Sequence, residues 1–394
     1  MAIRYIDEME VKGKSVFIRA DFNVPMDEKG TITDDIRIRS TLPTINSILT
    51  RGGSVILASH LGRPKGKPEK KYSLAPVAKK LSELLKREVL FVEECVGKEV
   101  EEKAKGLKPG QVLLLENLRF HSEEVKNDEN FARQLAGLAD IYINDAFAVS
   151  HRAHASVEAI TRFVKEAGAG FLLKNEITYF KRAMEKPERP LVAIVGGAKV
   201  SGKLEVLENL IQKVDKILIG GGMAFTFLKA KGMEVGKSLV ENELVDTAKE
   251  VMNKADKRGV KILLPVDCVV AAKMDASAEY KTTSVKEIPA DWMGLDIGQE
   301  TLKLFRDALK DAKTIVWNGP MGVFEMEPFS KGTYGIINLL ADARALSIVG
   351  GGDTDVALHR SGKADKISYI STAGGAFLEL LKGEELPGIK ALDC

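Results

Sequence analysis

Short apolar runs alternate along the chain with segments in which apolar residues recur every three or four positions. Runs such as SVFIR, SVILAS and LVAIV are continuous and rich in β-branched residues, whereas APVAKKLSELLKR and KLEVLENLIQKV have helical periodicity. Continuous apolar strands that alternate with amphipathic helices are typical of parallel sheets covered by helices on both faces. The pattern therefore predicts a doubly wound, Rossmann-like α/β protein.

One longer helical segment divides this pattern into two halves. The segment GFLLKNEITYFKRAMEKPERP reads as a helix that ends at prolines. A chain of 394 residues is long enough for about two domains, each with its own core. We expect one domain over residues 1–169, an interdomain helix over 170–187 and a second domain over 188–377. The helix is a candidate hinge, although a plain linker helix has the same pattern.

Composition narrows the classes of function. The formal net charge of +2 argues against a nucleic-acid or membrane-surface protein as a whole. No apolar run approaches the length of roughly 18 residues that spans a bilayer, and the N-terminus has no apolar signal region. The three cysteines are odd in number and lie in no metal-binding spacing, at Cys95, Cys268 and Cys394. A reducing compartment fits this usage, and we expect the cytoplasm.

Basic and amide side chains follow the strands of the first half. In an open parallel sheet the ligand lies beyond the carboxyl ends of the strands. The candidates at this edge are Asp21, Asn23, Arg37, His60, Arg63, Arg119 and Arg152. Guanidinium groups bind phosphate and carboxylate bidentately, so the sequence predicts a site for a small polyanion. For any one such arginine a surface salt bridge is the better explanation, but it does not explain five basic residues on successive turns. The weaker candidates are Arg39, His121 and His154.

Glycine-rich turns follow the strands of the second half. GGAKVSGK, GGGMAF, GGGDT and STAGGA each stand between an apolar run and a helical pattern. Glycine lets backbone N–H groups approach phosphate oxygens at the start of a helix, so these turns predict a polyphosphate site. Asp353 could hold Mg²⁺ at the phosphates or could instead be a helix N-cap. The Thr354 hydroxyl could serve either the phosphate or the helix end.

The first of these turns comes close to a P-loop. GAKVSGKL matches GxxxxGK, but Leu204 stands where the Mg²⁺-binding serine or threonine of a P-loop belongs. Lys199 and Lys203 lie four residues apart and follow a buried-looking strand, so on a helix they could converge on one anion. A solvated helix face is the alternative. We expect both lysines to contact phosphate.

These motifs together resemble the phosphoglycerate kinase family over essentially the whole chain. VFIRADFNVP, SHLGRP, ENLRF, HRAH, GGAKV, GGGMAFTF, VWNGPMGVFE and GGGDT occur in the family's order. The resemblance implies two Rossmann-like domains joined by a hinge helix, with residues 378–394 packing back on the first domain. It also implies reversible transfer of the acyl phosphate of 1,3-bisphosphoglycerate to MgADP, giving 3-phosphoglycerate and MgATP, in a monomer with no nucleic-acid or membrane partner.

The resemblance also assigns roles to individual residues. The residues that it implies for binding of 3-phosphoglycerate are Asp21, Asn23, Arg37, His60, Arg63, Arg119 and Arg152. The residues that it implies for catalysis are Arg37, Lys199, Gly351 and Gly374. The nucleotide residues that it implies are Gly197, Lys199, Lys203, Gly221, Gly222, Leu295, Asn318, Glu325, Gly350, Gly351, Gly352, Asp353 and Thr354, with Mg²⁺ on Asp353. Such a reaction demands positioning and charge neutralisation more than a nucleophile or base.

Two motifs depart from the family pattern. STAGGA replaces STGGGA and AVSHRAH replaces GTAHRAH, so Ala373 places a Cβ where the family has glycine.

Two other functions are alternatives to the kinase. A P-loop-like ATPase would use GAKVSGK but would leave the arginine edge unexplained. A noncatalytic two-domain binder regulated by nucleotide would fit both edges, and a turnover assay distinguishes it. A Rossmann dehydrogenase is disfavoured because no GxGxxG follows a strand.

Overall fold

The computed structural model describes residues 3–393 and divides them into two compact units. The first contains residues 3–177 together with 385–393, and the second is Thr178–Glu384. The prediction of two doubly wound parallel-sheet domains is confirmed, since each unit holds a six-stranded parallel sheet with helices between its strands.

The first unit is built on a sheet with the strand order β3-β4-β2-β1-β5-β6, and every pairing in it is parallel. Its strands are β1 Ser15–Arg19, β2 Ser54–Ala58, β3 Val89–Val92, β4 Val112–Leu115, β5 Ile141–Asn144 and β6 Glu166–Ala169. β2, β4 and β5 are buried along their whole length, as the continuous apolar runs predict.

Helices connect these strands and cover the sheet. They are α1 Ile36–Thr50, α2 Ala75–Leu85, α3 Lys98–Lys105, α4 Ser122–Val125 and α5 Glu129–Ala136. One large core cluster joins the apolar faces of α1 and α2 to strand residues such as Val16, Val55 and Leu114. Because the strands run parallel, the loops that follow β1, β2, β4 and β5 all lie at one edge of the sheet.

The next helix, α6 Phe171–Met184, contains the boundary between the units, which falls between Ile177 and Thr178. The buried carboxylate of Asp145 holds the start of this helix, accepting from the amides of Leu172 at 3.0 Å and Leu173 at 3.3 Å. A carboxylate at a helix N-terminus satisfies amides that have no partner within the helix.

The second unit has the strand order β15-β14-β13-β7-β8-β9, again all parallel. Its strands are β7 Leu191–Val195, β8 Lys216–Ile219, β9 Lys261–Leu263, β13 Thr314–Asn318, β14 Leu346–Gly350 and β15 Tyr369–Ile370. Its helices are α7 Leu204–Leu210, α8 Met223–Ala230, α9 Val245–Lys257, α10 Gln299–Leu309, α11 Lys331–Asp342, α12 Gly352–Arg360 and α13 Gly374–Lys382.

A small antiparallel sheet in the second unit was not predicted. Its order is β11-β10-β12, formed by β10 Asp267–Ala271, β11 Tyr280–Ser284 and β12 Met293–Ile297. The sequence YKTTS of β11 has no apolar run, because this edge strand is largely exposed. It therefore lacks the signal that identifies a buried strand.

The C-terminal segment of the first unit begins later than expected. Residues 385–393, with the short helix α14 Pro387–Lys390, belong to that unit, and the amide of Gly388 donates to the carbonyl of Ser150 at 2.9 Å. Residues 378–384 belong to the second unit instead. They include the end of α13, where Asn209 Nδ2 on α7 donates to the carbonyl of Leu381 at 2.7 Å.

Candidate functional site

The residues predicted to bind an anion meet at the carboxyl edge of the first sheet. Arg37 Nη1 donates to Asp21 Oδ2 at 2.7 Å, and His60 Nδ1 lies 3.8 Å from Asp21 Oδ1. Asn23 Oδ1 accepts from the amide of Gly62 at 2.8 Å. These contacts fix the orientation of the side chains that stand nearest to the ends of β1 and β2.

Three further arginines follow β2, β4 and β5 at this edge. Arg119 Nη1 donates to the carbonyl of Gly62 at 2.9 Å, while its buried Nε has no partner among the described residues. Burial, with the nearby charges of Arg19 and Arg152, lowers the pKa of Arg119 to about 10. Arg63, beside Gly62, is exposed, as is Arg152. A buried guanidinium N–H without a partner is what an anion would satisfy.

A buried charge pair supports the cluster from within. Arg19 and Glu124 are both 0% exposed, with Arg19 Nη2 3.9 Å from Glu124 Oε1. Ser156 links them, since its Oγ accepts from Arg19 Nε at 2.8 Å and donates to Glu124 Oε1 at 2.6 Å. Sequence reasoning missed this pair, because Glu124 stands in SEEV, which reads as a solvated turn.

The two histidines of the cluster are neutral near pH 7. Burial and the charge of Arg19 hold the pKa of His60 well below its usual value, and the same causes lower the pKa of His154 to about 3. A guanidinium can only donate, so His60 Nδ1, 3.3 Å from Arg19 Nη2, is the acceptor. The His60 proton is therefore on Nε2, which can donate to a ligand.

The other weaker candidates do not join the cluster. Arg39 pairs with Asp35 on the exposed face of α1, through two hydrogen bonds of 2.7 and 3.0 Å. His121 Nε2 lies 2.6 Å from Glu94 Oε1. Both side chains are therefore occupied by acidic partners outside the arginine cluster.

In the second unit, six of the predicted nucleotide residues line one cleft of about 480 Å³. They are Gly197, Gly221, Gly222, Leu295, Glu325 and Asp353. Its apolar wall includes Phe225, Leu239 and Met293, which sequence reasoning did not assign to the site. An apolar cleft with a carboxylate at its rim suits a flat, uncharged base and a sugar with hydroxyl groups.

The remaining predicted residues surround the start of α12. Asn318 Oδ1 accepts from Lys203 Nζ, and Asn318 Nδ2 donates to the carbonyl of Gly350 at 2.8 Å. Gly351 is the N-cap of α12 at φ +114°, a conformation that disfavours side chains, and no side-chain hydrogen bond caps the helix. The amides of the first turn are therefore available to an anion such as phosphate.

The structure differs from two of the predictions for residues at the start of α12. The N-cap of α12 is Gly351, so the alternative that Asp353 caps the helix is wrong, and Asp353 is an exposed residue of the first turn. Thr354 is fully buried, and its Oγ1 accepts from the amide of Gly319 at 2.9 Å. Its hydroxyl therefore supports the neighbouring turn. Gly350 is likewise buried, against the ring of Phe377.

Lys199 and Lys203 also do not share one helix face, contrary to the prediction. α7 begins at Leu204, so Lys199 and Lys203 lie on the loop before it rather than on one helix face. Lys199 is exposed, whereas Lys203 is partly buried. Burial lowers the pKa of Lys203 to about 8, against the opposing charge of Asp353. Of the two, Lys203 is the one held against Asn318.

Ala373 causes no strain in the last glycine turn. Its φ of −143° and ψ of 105° are ordinary extended values that any residue adopts. The close approach occurs one residue later, where a Cβ on Gly374 would lie 3.0 Å from the amide nitrogen of Gly352. The departure from the family pattern therefore falls on a position that tolerates a side chain.

Together these features define a class of protein. One unit presents guanidinium groups to a small anion, and the other combines an apolar cleft with a glycine-lined helix start suited to a nucleotide phosphate. This combination is that of a two-unit α/β phosphotransferase. The described part of the chain contains no helix that is long and apolar enough to cross a membrane.

Comparison with known proteins gives the particular family. The model of the family described as phosphoglycerate kinase matches residues 6–384, and the chain belongs to that family. It is a kinase that transfers phosphate between ATP and 3-phosphoglycerate. A curated phosphoglycerate kinase of Geobacter metallireducens is 64% identical over 394 residues, covering 100% of this chain and 99% of the relative.

Solved structures agree with this assignment. The phosphoglycerate kinase from Coxiella burnetii is 44% identical with a TM-score of 0.93, and 99% of each chain is covered. That from Pyrococcus horikoshii is 35% identical with a TM-score of 0.84, covering 98% of this chain and 97% of the other. The likeness extends over both units.

Proposed function

We propose that the arginine cluster of the first unit binds 3-phosphoglycerate and that the cleft of the second unit binds the Mg²⁺ complex of ATP or ADP. The unpartnered Nε of buried Arg119 carries the first assignment, because an anion would satisfy it. Arg63 and Arg152 add exposed guanidinium groups. Asp21 and Asn23 orient the substrate hydroxyl, and His60 donates to the substrate from Nε2.

In the second unit, the cleft between Gly222 and Leu295 takes the adenine, and Glu325 binds the ribose hydroxyls. Lys203 and the first amides of α12 bind the phosphates. The donor chemistry of Asp353 fits Mg²⁺, since it offers an exposed carboxylate where the cleft meets the helix start. When bound, the ion neutralises phosphate charge and leaves positions for phosphate oxygens and water.

For the transfer step, Arg37 and Lys199 stabilise the charge that spreads over the transferring group, and the Gly351 and Gly374 turns bring their backbone close to it. Arg37 is held by Asp21 at 2.7 Å, so its position is set before the substrate arrives. Direct in-line transfer needs the reacting atoms within roughly 3–3.5 Å. Both residue sets belong to one chain, so the proposal needs no second subunit.

Two substitutions test the assignment of ligands to units. Asp353→Asn should weaken binding of MgATP and leave the affinity for 3-phosphoglycerate unchanged, because the loss of a metal ligand acts locally. Arg37→Ala should lower kcat by about 10²-fold or more, as expected for a charge donor that acts in the transition state. Calorimetry with each ligand, alongside turnover, gives both measurements.

The outcomes are distinct. Equal loss of both affinities in Asp353→Asn would contradict the assignment of the nucleotide to the second unit. An Arg37→Ala enzyme with unchanged kcat and raised KM would restrict Arg37 to ground-state binding. As a control, turnover is measured with glycerate in place of 3-phosphoglycerate, which tests whether the enzyme requires the phosphate group of the substrate.

The same proposal includes closure about α6, whose residues are shared between the two units. We expect 3-phosphoglycerate and MgATP together to reduce the radius of gyration more than either ligand alone. Small-angle scattering on the ligand-free, both binary and ternary samples measures this. A radius that stays constant across the four samples would exclude hinge closure.

A further inference from the structure

Three metal-ligating side chains lie together in the first unit, outside the arginine cluster. The ligand atoms of Glu94, Cys95 and His121 are all within 4.8 Å of one another. His121 Nε2 lies 2.6 Å from Glu94 Oε1, and Cys95 Sγ donates to the carbonyl of Glu116 at 3.0 Å. The kinase reaction proposed above uses none of these side chains.

The fold fixes this arrangement through two adjacent strands. β3 and β4 pair in parallel with Val92 opposite Leu115, so the loops that follow them emerge side by side. Glu94 and Cys95 lie on the first loop, and His121 lies on the second. The imidazole of His121 stacks on Phe131 with ring centroids 5.0 Å apart, which holds the ring in place.

The chemistry of the three groups suits a borderline-soft divalent cation. Thiolate, imidazole and carboxylate are the ligands that Zn²⁺ takes in proteins, and three of them with an open fourth position form a common arrangement. The negative charges of Glu94 and Glu116 act on the Cys95 thiol, and the same charges favour a cation there.

The positions are also accessible to an ion. The side chains of His121 and Glu94 are 26% and 50% exposed, while Cys95 is fully buried behind them. Ligand atoms around a tetrahedral Zn²⁺ are about 3.3–3.8 Å apart. Glu94 Oε1 and His121 Nε2, now 2.6 Å apart, would therefore separate by roughly 0.7 Å, and Cys95 Sγ would approach them by up to roughly 1 Å. The present Glu94–His121 hydrogen bond would be exchanged for two metal bonds.

We propose that Glu94, Cys95 and His121 form a site for Zn²⁺ or a similar transition-metal ion, with a water in the fourth position. Coordination replaces the thiol proton, which passes to solvent, and there is no change of oxidation state. A bound ion would connect two segments: the end of the turn that contains Arg119 and the loop that follows β3. It is separate from the Mg²⁺–nucleotide site, which offers oxygen ligands.

Co²⁺ and Zn²⁺ titrations of the full chain without nucleotide test the proposal. We use the Cys394→Ser chain as the parent, so that the terminal thiol contributes no ligand. One Co²⁺ should bind per chain and produce a thiolate charge-transfer band in the near ultraviolet. Zn²⁺ should abolish that band by competition and should raise the melting temperature of the parent chain.

Substitutions identify the ligands. Glu94→Gln and His121→Gln should each weaken Co²⁺ binding by at least about tenfold. The matched control is His359→Gln, which removes another histidine–carboxylate pair, His359 Nδ1 to Asp355 Oδ1 at 2.9 Å. It should leave the affinity unchanged. Melting without metal confirms that each variant folds.

Three outcomes would overturn the proposal. They are the absence of a charge-transfer band in the parent, full affinity in folded His121→Gln, and an equal loss of affinity in His359→Gln. The spectroscopic readout does not depend on kinase activity, so the result stands apart from the proposed function.

Discussion

Replacing Glu124 by glutamine should destabilise the first unit by about 3–5 kcal/mol, because it leaves Arg19 as an uncompensated buried charge. Both side chains are 0% exposed. The guanidinium retains Ser156 and the carbonyl of Ala20 as hydrogen-bond partners, but the acid lying 3.9 Å away becomes neutral. His60, itself neutral, cannot replace that charge.

The magnitude predicts a large thermal shift. At about 2–4 °C per kcal/mol for a unit of this size, the first unit should melt roughly 6–20 °C lower. The control is Glu166→Gln, which breaks a partly exposed pair between Lys14 Nζ and Glu166 Oε1 at 2.6 Å in the same unit. It should cost no more than about 1 kcal/mol. Urea unfolding of both variants measures the difference.

A double-mutant cycle with Arg19→Met separates the pair from its surroundings. If the buried pair is the cause, Glu124→Gln combined with Arg19→Met should cost less than the sum of the single changes by at least about 1–3 kcal/mol. Costs that add within about 0.5 kcal/mol would refute the reasoning. Such a result would assign the loss of stability to the hydrogen bonds of Ser156 instead.

Two further predictions concern the second unit. Gly374→Ala should lower kcat by about tenfold or more, because its Cβ would lie 3.0 Å from the amide nitrogen of Gly352. The control Ala373→Gly should change kcat little, since Ala373 already has an ordinary extended backbone. Equal effects of the two substitutions on kcat in steady-state assays would contradict this prediction. Burial lowers the pKa of Lys203 to about 8, so the ammonium is lost as pH rises through that value and KM for ATP should rise. Lys203→Arg should keep its KM to higher pH, since a guanidinium stays charged, and an identical pH profile would exclude Lys203 as the titrating group.

Much of the fold follows from residue patterns. The buried runs SVILA and LVAIV form strands as predicted, because a strand covered on both faces is apolar along its whole length. The antiparallel sheet was missed because YKTTS is an exposed edge strand. The loop at Lys199 and Lys203 was misread because a spacing of four is compatible with a helix but does not require one.

The candidate site could be predicted only where its side chains follow strands. Arg119 and Arg152 lie on the connections that follow β4 and β5, and Arg37 lies in the first turn of α1, which follows β1. Parallel topology places all three connections at one edge of the sheet. Glu124 carries the same signal as any surface glutamate, and its burial depends on Ser156, 32 residues later, whose amide and hydroxyl both donate to it.

That hidden acid affects the electrostatics of the site. Glu124 compensates Arg19 inside the fold, and Asp21 pairs with Arg37, while His60 and His154 are neutral. The charge left to meet a ligand is therefore that of the arginines nearer the surface. Because Glu124 is its buried counter-charge, the Arg19 guanidinium can lie against His60 and fix the tautomer of that histidine. Arg19 therefore adds no further free cation to the edge where the substrate is proposed to bind.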